Sequence, residues 1–560
     1  MSLKLFYQSE TLHWNDLNWK HVEKNIANLQ HRITMATKRG DNQQVRNLQR
    51  LLVRSLSGRL KAVRQVAQEN QNKKTPGIDG KLWTTSQQKL QAAFDLRKKS
   101  KTQPLRRIFI PKKDGSSRLL GIPAIRDRAA QAVWNLALLP VVEYTSDAAS
   151  YGFRPYRSAW DAFAQIRTVF SKKDSAEWVL KADICQMFDF IDPNWLLENT
   201  PVEKKVLKSW LKSGFFAGEV YSPTESGLFS SQGGVISPTL ANLTLNGLEA
   251  FLEKQFPEGH RFNKQGKRSG SHKTKINVIR YADNFVVSGK SARQLERVRL
   301  AIEQFLEPRG LQLHEGKTCI TRVNNGFHFL GWKFWKASNG AFLGQISRDS
   351  LKAHQINIKR TIKQSGNMSI PALIQKLNKQ ITGWTNYHRC TDSLWKVWGK
   401  MNYYVYKLLW KWARKRHGKR SHTWIYNRHW LHLNGRWTFF ANDENSGKLY
   451  KLKHYSAQKM FIRRLPAAVN VFDLRNRKKI AETWFLKQKN KLEGTKKQVW
   501  AKQRGACPAC QNLLDFDLPN RDLHHILPRL QGGISNLKNL VLLHEHCHYV
   551  SHHRMAAINS

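Results

Sequence analysis

Acidic residues are scarce in this chain. It carries 40 Asp and Glu against 94 Lys and Arg, a formal net charge of +54 over 560 residues. A folded chain tolerates such self-repulsion poorly unless a polyanion neutralises it, so a nucleic acid is the expected partner and a membrane surface the alternative. Long apolar runs are missing too. No stretch reaches the roughly 18 residues of a bilayer span, and the start, Met1-Ser2-Leu3-Lys4-Leu5-Phe6-Tyr7-Gln8, lacks the apolar core of a signal peptide. A cytosolic protein without membrane contact is the expectation. Cysteine is rare: there are six, and in a reducing compartment these argue against disulfides. Three of them, Cys507, Cys510 and Cys547, crowd the C-terminus at metal-ligand spacing. Internal repeats are absent. Tryptophan is plentiful, with 20 residues scattered among Lys and Arg. These offer surfaces for base stacking, although any single one more often fills a core.

A chain of this length should hold several domains, each with its own core. Residues 12–70 read as amphipathic helices, with Leu48, Leu51, Leu52, Leu56, Leu60 and Val63 at helical spacing. Lys74-Thr75-Pro76-Gly77-Ile78-Asp79-Gly80 is a turn-rich break. Residues 106–123 read as a basic hairpin around a Lys-Asp-Gly turn, and residues 126–143 as a helix. From 177 to 335 short β runs alternate with helices, as in an α+β layer. Residues 350–417 return to helix, 418–495 are basic and irregular, and 496–560 form a Cys/His-rich module.

Two aspartates stand out. Asp183 ends the apolar run Glu177-Trp178-Val179-Leu180-Lys181-Ala182, and Asp283 sits in Tyr281-Ala282-Asp283-Asn284 between Val278-Ile279-Arg280 and Phe285-Val286-Val287. Two strand-borne carboxylates in a very basic protein suit a pair of divalent ions, Mg2+ by expectation, in nucleotidyl transfer. Near the C-terminus, Cys507-Pro508-Ala509-Cys510 and His544-Glu545-His546-Cys547 form two pairs at equal separation. Three thiolates and one imidazole make a closed tetrahedral shell, which fits a structural Zn2+.

In order along the chain, Thr75-Pro76-Gly77-Ile78-Asp79-Gly80, Ser150-Tyr151-Gly152-Phe153-Arg154-Pro155, Gln232-Gly233-Gly234-Val235-Ile236-Ser237-Pro238, Tyr281-Ala282-Asp283, Gly316-Lys317-Thr318 and Phe329-Leu330-Gly331-Trp332 resemble the successive blocks of a reverse transcriptase. Gly383-Trp384-Thr385-Asn386-Tyr387-His388-Arg389 resembles a maturase signature, and the C-terminal module resembles an HNH nuclease. Over nearly its whole length the chain resembles the proteins encoded inside group II introns. That resemblance implies an α+β multidomain fold with right-hand fingers and palm, a helical thumb or maturase X domain, and a small ββα-metal HNH module. The implied boundaries are an N-terminal helical RNA-binding extension at 1–74, fingers and palm at 75–335, thumb at 336–417, a basic DNA-binding region at 418–495 and the nuclease at 496–560. Implied partners are intron RNA, target DNA and deoxynucleoside triphosphates, in a bacterial cytosol or nucleoid-associated ribonucleoprotein. Homodimer formation is left open.

The resemblance also assigns residues. Asp183, the carbonyl of Ile184 and Asp283 would hold the metals. Phe188 would shield the sugar edge and reject a 2′-hydroxyl; a core Phe fits the bare sequence equally well. Arg107 and Lys112 suit triphosphate contact, Gln232 would lie by the incoming nucleotide or template, and Lys317 would neutralise charge during transfer. Asn284 departs from the family, which usually carries a second Asp there, so weakened polymerisation is expected. His525, Asn539 and His548 match the three letters of HNH. His525 would be the general base, Asn539 would hold its loop, and His524, His548 and His552 would ligate one divalent ion, Mg2+ or Mn2+; His553 is the alternative to His552. The implied function is a multifunctional protein that binds intron RNA, aids splicing, cleaves target DNA and copies RNA into DNA. A splicing-only factor with a decayed polymerase is the alternative. A defence nuclease on a polymerase-like fold is disfavoured by the signature at 383–389.

Overall fold

A computed structural model describes residues 13–548 apart from 71, 99, 112–116, 218–219, 223–232, 263–267, 434, 444–446, 457–459, 461, 490–491, 493, 515–520 and 545–546. The N-terminal region is helical, but the leucine repeat does not run through one helix. It breaks between helices Asn42–Arg54 and Leu56–Arg64. Ser55 sits at the break in extended conformation and its hydroxyl caps the second helix through the Gly58 amide. Leu52 is fully buried there, whereas Leu51 is half exposed. These helices pack on the long helix Ile125–Thr145.

Strands β1 (Leu105–Pro111) and β2 (Ser117–Ile122) form the expected antiparallel hairpin, with Arg107 opposite Gly121; its turn lies outside the described residues. β3 (Trp178–Asp183) follows. Then come the short β4 (Phe215–Ala217) and β5 (Val220–Ser222), which join the first hairpin in the order β2-β1-β4-β5. A separate hairpin pairs β6 (Gly259–Phe262) with β7 (Arg268–His272). β8 (Asn277–Tyr281), β9 (Asn284–Gly289) and β10 (Cys319–Arg322) complete the palm sheet, ordered β10-β3-β9-β8 and antiparallel throughout. Its strands carry Val179, Leu180, Ile279, Phe285, Val286 and Val287, all buried on both faces, so they read as continuous apolar runs.

β11 (Phe327–Phe329), β12 (Trp332–Lys336) and β13 (Phe342–Ile346) make a small meander. It shares its aromatic core, Phe163, Trp332 and Phe334, with the palm. The thumb helices Arg348–Lys363, Ile370–His388 and Leu394–Arg416 follow this meander.

The interval 418–495 is more regular than its composition suggests. Helix His422–His429 leads into a meander of β14 (Trp430–Leu433), β15 (Arg436–Asn442) and β16 (Leu449–Lys451). Trp430 and Phe439 join the thumb core beside Trp398 and Leu409. The remainder is a strap laid back over the palm. Its Leu474 amide meets His31 of the N-terminal helices, and Lys487 enters the palm to meet Asp161. The C-terminal module holds β17 (Arg521–His525) antiparallel to β18 (Leu540–His544), over a core of Val499, Trp500 and Leu542. No helix among the described residues is long and apolar enough to cross a membrane.

Candidate active sites

The palm sheet brings the two aspartates together. In the β3–β9 register Asp183 lies opposite Asn284, one residue from Asp283. The Ile184 amide bonds the Asp283 carbonyl at 3.2 Å, and the Asp183 carbonyl takes the His314 amide at 2.8 Å. The turn between β8 and β9 places Ala282 at φ 58, a left-handed conformation costing about 1 kcal/mol for a residue with a Cβ. Its backbone presses on Gly152, where a Cβ would sit 2.3 Å from the Ala282 nitrogen. This close approach is the physical reason for glycine in the block Ser150–Pro155. Behind the turn, buried Arg280 holds Asn242 and Asn246, each at 3.2 Å, and Asn242 reaches the Gly152 carbonyl. Burial lowers the Arg280 guanidinium to about 10, with Asp147 opposing. Sequence reasoning missed this support, whose one signal was an Arg inside an apolar strand.

Around the carboxylates the expected residues divide. Lys317 lies on Asp183, Nζ to Oδ2 2.7 Å. The other oxygen, Oδ1, is buried and has no hydrogen-bond partner among the described residues. A buried carboxylate oxygen left in that state fits a cation ligand. Phe188 is half-buried and meets Phe153 edge to face at 6.3 Å. Asn284 turns its amide nitrogen to Asp283 Oδ1 at 3.1 Å, so it donates to its neighbour. A family carboxylate would repel that oxygen and share a cation with it. Arg107 lies on β1, where its guanidinium stacks 3.2 Å above the Phe215 ring on the fingers sheet. Cation–π contact and the parallel β1–β4 pairing hold it there. Lys112 and Gln232 lie outside the described residues. Gly233, next to Gln232, has φ +118 and packs its backbone on the Gly121 carbonyl of β2.

The maturase signature forms a joint between palm and thumb. Trp332, at the Leu330-Gly331 turn of the meander, donates to His388 Nδ1 at 3.0 Å and stacks on Tyr387 at 4.9 Å. Ser350 holds the other His388 nitrogen at 3.2 Å. Trp384 stacks on His354, which meets the Tyr455 hydroxyl at 2.7 Å. Burial holds His388 at about 3 and His354 at about 4, so both are neutral.

In the C-terminal module, Cys507, Cys510, His544 and Cys547 offer ligand atoms within 4.8 Å of one another. A knuckle turn shapes the first pair, with the Cys507 amide on the Asn512 carbonyl and the Gln511 amide on the Cys507 carbonyl. Hydrogen bonds from Cys510 and Cys547 pull the Cys507 thiol far down, while Cys507 pushes Cys510 up to about 11 and Cys547 higher still. Three packed sulfurs cannot all be anionic without a cation among them, and that donor set fits Zn2+.

The HNH letters fall beside this knuckle. Asn539 clamps the loop that follows β17: its carboxamide oxygen takes the Leu527 amide at 2.7 Å, and its nitrogen donates to the carbonyls of Leu527 and Ile534 at 3.0 Å. His525 Nε2 meets Ser535 Oγ at 2.9 Å, and Arg529 meets the same hydroxyl at 2.7 Å. Ser535 and Arg529 were not anticipated. On the opposite face of the strand, buried His524 packs edge to face on His548, with ring centroids 5.0 Å apart. His552 and His553 lie outside the described residues.

Four segments of the chain match known families. Residues 14–96 match the N-terminal domain of reverse transcriptase, and 110–334 match reverse transcriptase (RNA-dependent DNA polymerase). Residues 351–430 match the group II intron maturase-specific domain, and 507–554 match HNH endonuclease. Protein YkfC of Escherichia coli K12 is 31% identical over 289 residues, 46% of this chain and 75% of that protein. Group II intron-encoded protein LtrA of Lactococcus lactis subsp. cremoris is 28% identical over 325 residues, 48% of this chain and 51% of LtrA. The chain thus spans about half the length of LtrA. A solved structure of apo telomerase from Candida tropicalis aligns over 57% of this chain and 58% of that one, at 12% identity and a TM-score of 0.36. The chain belongs to the group II intron-encoded proteins, with reverse-transcriptase, maturase and HNH endonuclease domains on one polypeptide.

Proposed function

We propose that this chain binds a group II intron RNA, promotes its splicing, cleaves a strand of target DNA and copies RNA into DNA, the last step slowed by Asn284. The observation that carries the reading is the β3–β9 register, which puts Asp183 beside Asp283 with Lys317 on the Asp183 carboxylate. Bound there, divalent ions, Mg2+ in this reading, would acidify a primer 3′-hydroxyl and neutralise the leaving phosphate. Asp183, the Ile184 carbonyl and Asp283 would supply the ligands. Lys317 reaches Asp183 from a half-exposed position and can swing to a triphosphate oxygen, since a flexible ammonium serves either anion. Phe188, beside Phe153, would bound the sugar pocket.

In the nuclease, His525 takes a proton from the attacking water. Its hydrogen bond to Ser535 orients the ring, and Asn539 fixes the loop that carries Ser535. His524 and His548, with His552, would hold the ion at the scissile phosphate, Mg2+ or Mn2+. Cys507, Cys510, His544 and Cys547 would hold structural Zn2+. The splicing-only alternative is not favoured, because the chain matches reverse transcriptase and HNH endonuclease as well as the maturase-specific domain.

Three assays on the purified full chain test the proposal. Asp183→Ala should abolish primer extension and spare both splicing and nicking. His525→Ala should abolish nicking and spare the other two. Loss of splicing with either variant would overturn the division of labour.

A further inference from the structure

The loop between β17 and β18 exposes four large aliphatic side chains: Ile526 49%, Leu527 47%, Ile534 66% and Leu537 41%. Apolar groups are normally covered, and a short rigid loop showing four of them marks a contact surface. The loop is rigid for stated reasons. Asn539 ties both of its arms together, and the Gly533 backbone lies so close to the Leu527 carbonyl that a Cβ would fall 2.0 Å from it. Ile534, the most exposed, precedes Ser535, whose hydroxyl holds His525. The rim is cationic. Arg529 meets the same hydroxyl, and Lys502 caps the Leu537 carbonyl at 3.0 Å next to Lys538. Residues 523–544 contain no Asp or Glu.

We infer that Ile534 and Leu537 form an apolar wedge that enters a base step of duplex DNA beside the phosphate cleaved at His525. Two observations commit this surface to DNA. Its cations suit phosphates on either side of an apolar centre, and it is continuous with the candidate nuclease site. Branched aliphatic side chains inserted between base pairs unstack the step and bend the helix. The bend opens the groove, which brings one sugar-phosphate strand out to the histidine. Sequence-independent positioning of this kind selects deformable steps, pyrimidine–purine above all. The inference rests on the nuclease reading of His525 but makes a binding claim that stands apart from cleavage.

The test uses the full chain and a duplex spanning the junction of the exons around its intron, with 2-aminopurine placed at successive positions. Wild type should brighten the probe at one step next to the nick. Ile534→Ala/Leu537→Ala should leave the probe dark and nick the intact duplex about tenfold more slowly. The same variant should nick near-normally when a mismatch already unstacks that step. Ile534→Met, which keeps an apolar wedge, should retain the signal. Zinc content and melting temperature control for folding, and both should be unchanged because the side chains are exposed. A dark probe with wild-type protein that still nicks would overturn the wedge, as would equal slowing on intact and mismatched duplexes. Loss of self-association in the double variant, with the probe still bright, would assign the patch to a second copy of the chain instead. If wild type brightens the probe yet never nicks, the nuclease reading fails and the wedge stands.

Discussion

Asn284 stands where a second carboxylate would sit beside Asp283. A carboxylate there would add anionic charge beside the metals, whereas the amide donates a hydrogen bond to Asp283 and removes that charge. The departure was legible in the sequence because a single letter differs inside a short pattern. That the amide nitrogen faces Asp283 was not, since sequence carries no rotamer. Arg107 shows a second limit. Phe215, over a hundred residues later, stacks on its guanidinium. A pairing so distant in sequence has no local signal. The C-terminal cysteines were readable because ligand spacing is a covalent constraint, and the four donor atoms do converge. At this scale Cys510→Ser should lose bound zinc and unfold the module locally. His525, outside that shell, should keep zinc when changed to Ala. Metal analysis of both variants checks this, and zinc loss from His525→Ala would count against the assignment.

Among the elements, the thumb helices and the first hairpin appear where periodicity placed them, because amphipathic spacing reports burial on one face. The break at Ser55 and the meander in 430–451 were hidden. The first depends on a cap, and the second on Trp430 and Phe439 finding a core on another element. The palm–thumb joint also yields a pH prediction. His388 sits at about 3 and His354 at about 4 when folded, because burial disfavours their charge, against roughly 6.5 in an unfolded chain. The unfolded state therefore binds more protons below about pH 6.5, and stability contributed by the two neutral rings falls as pH drops toward their folded values. Thermal stability should decline between roughly pH 7 and pH 5, and His388→Gln should flatten that decline while lowering stability overall. An unchanged pH slope in the variant would contradict the buried neutral ring.

The strap supplies a second test on elements. Lys487 Nζ lies 2.7 Å from both oxygens of Asp161, and both side chains are almost wholly buried. Lys487→Ala removes the cation from a buried carboxylate and leaves it the Ser158 amide and hydroxyl; losing one side of a buried ion pair typically costs about 3–5 kcal/mol. Limited proteolysis should then release the C-terminal module from the palm. A proteolysis pattern like that of wild type would show that other contacts hold the module.

For the whole molecule, net charge is the dominant fact. The excess of +54 makes RNA binding a matter of counterion release. Log affinity should fall by about 0.7–0.9 per phosphate contact for each unit of log salt, and a shallow slope would mean that few phosphates are engaged. Composition announced this partner class plainly. It did not announce that the basic interval 418–495 divides into a thumb-packed sheet and a strap anchored on the palm, because charge says nothing about which neutral faces meet.

Asp183 and Asp283 would form a working polymerase site weakened by one amide. The decisive measurement is primer extension on an RNA template, comparing wild type with Asn284→Asp and Asp183→Ala. Wild type should extend weakly, Asn284→Asp clearly faster, and Asp183→Ala not at all. Equal extension by wild type and Asn284→Asp would contradict the reading of Asn284, and extension by Asp183→Ala would contradict the site itself.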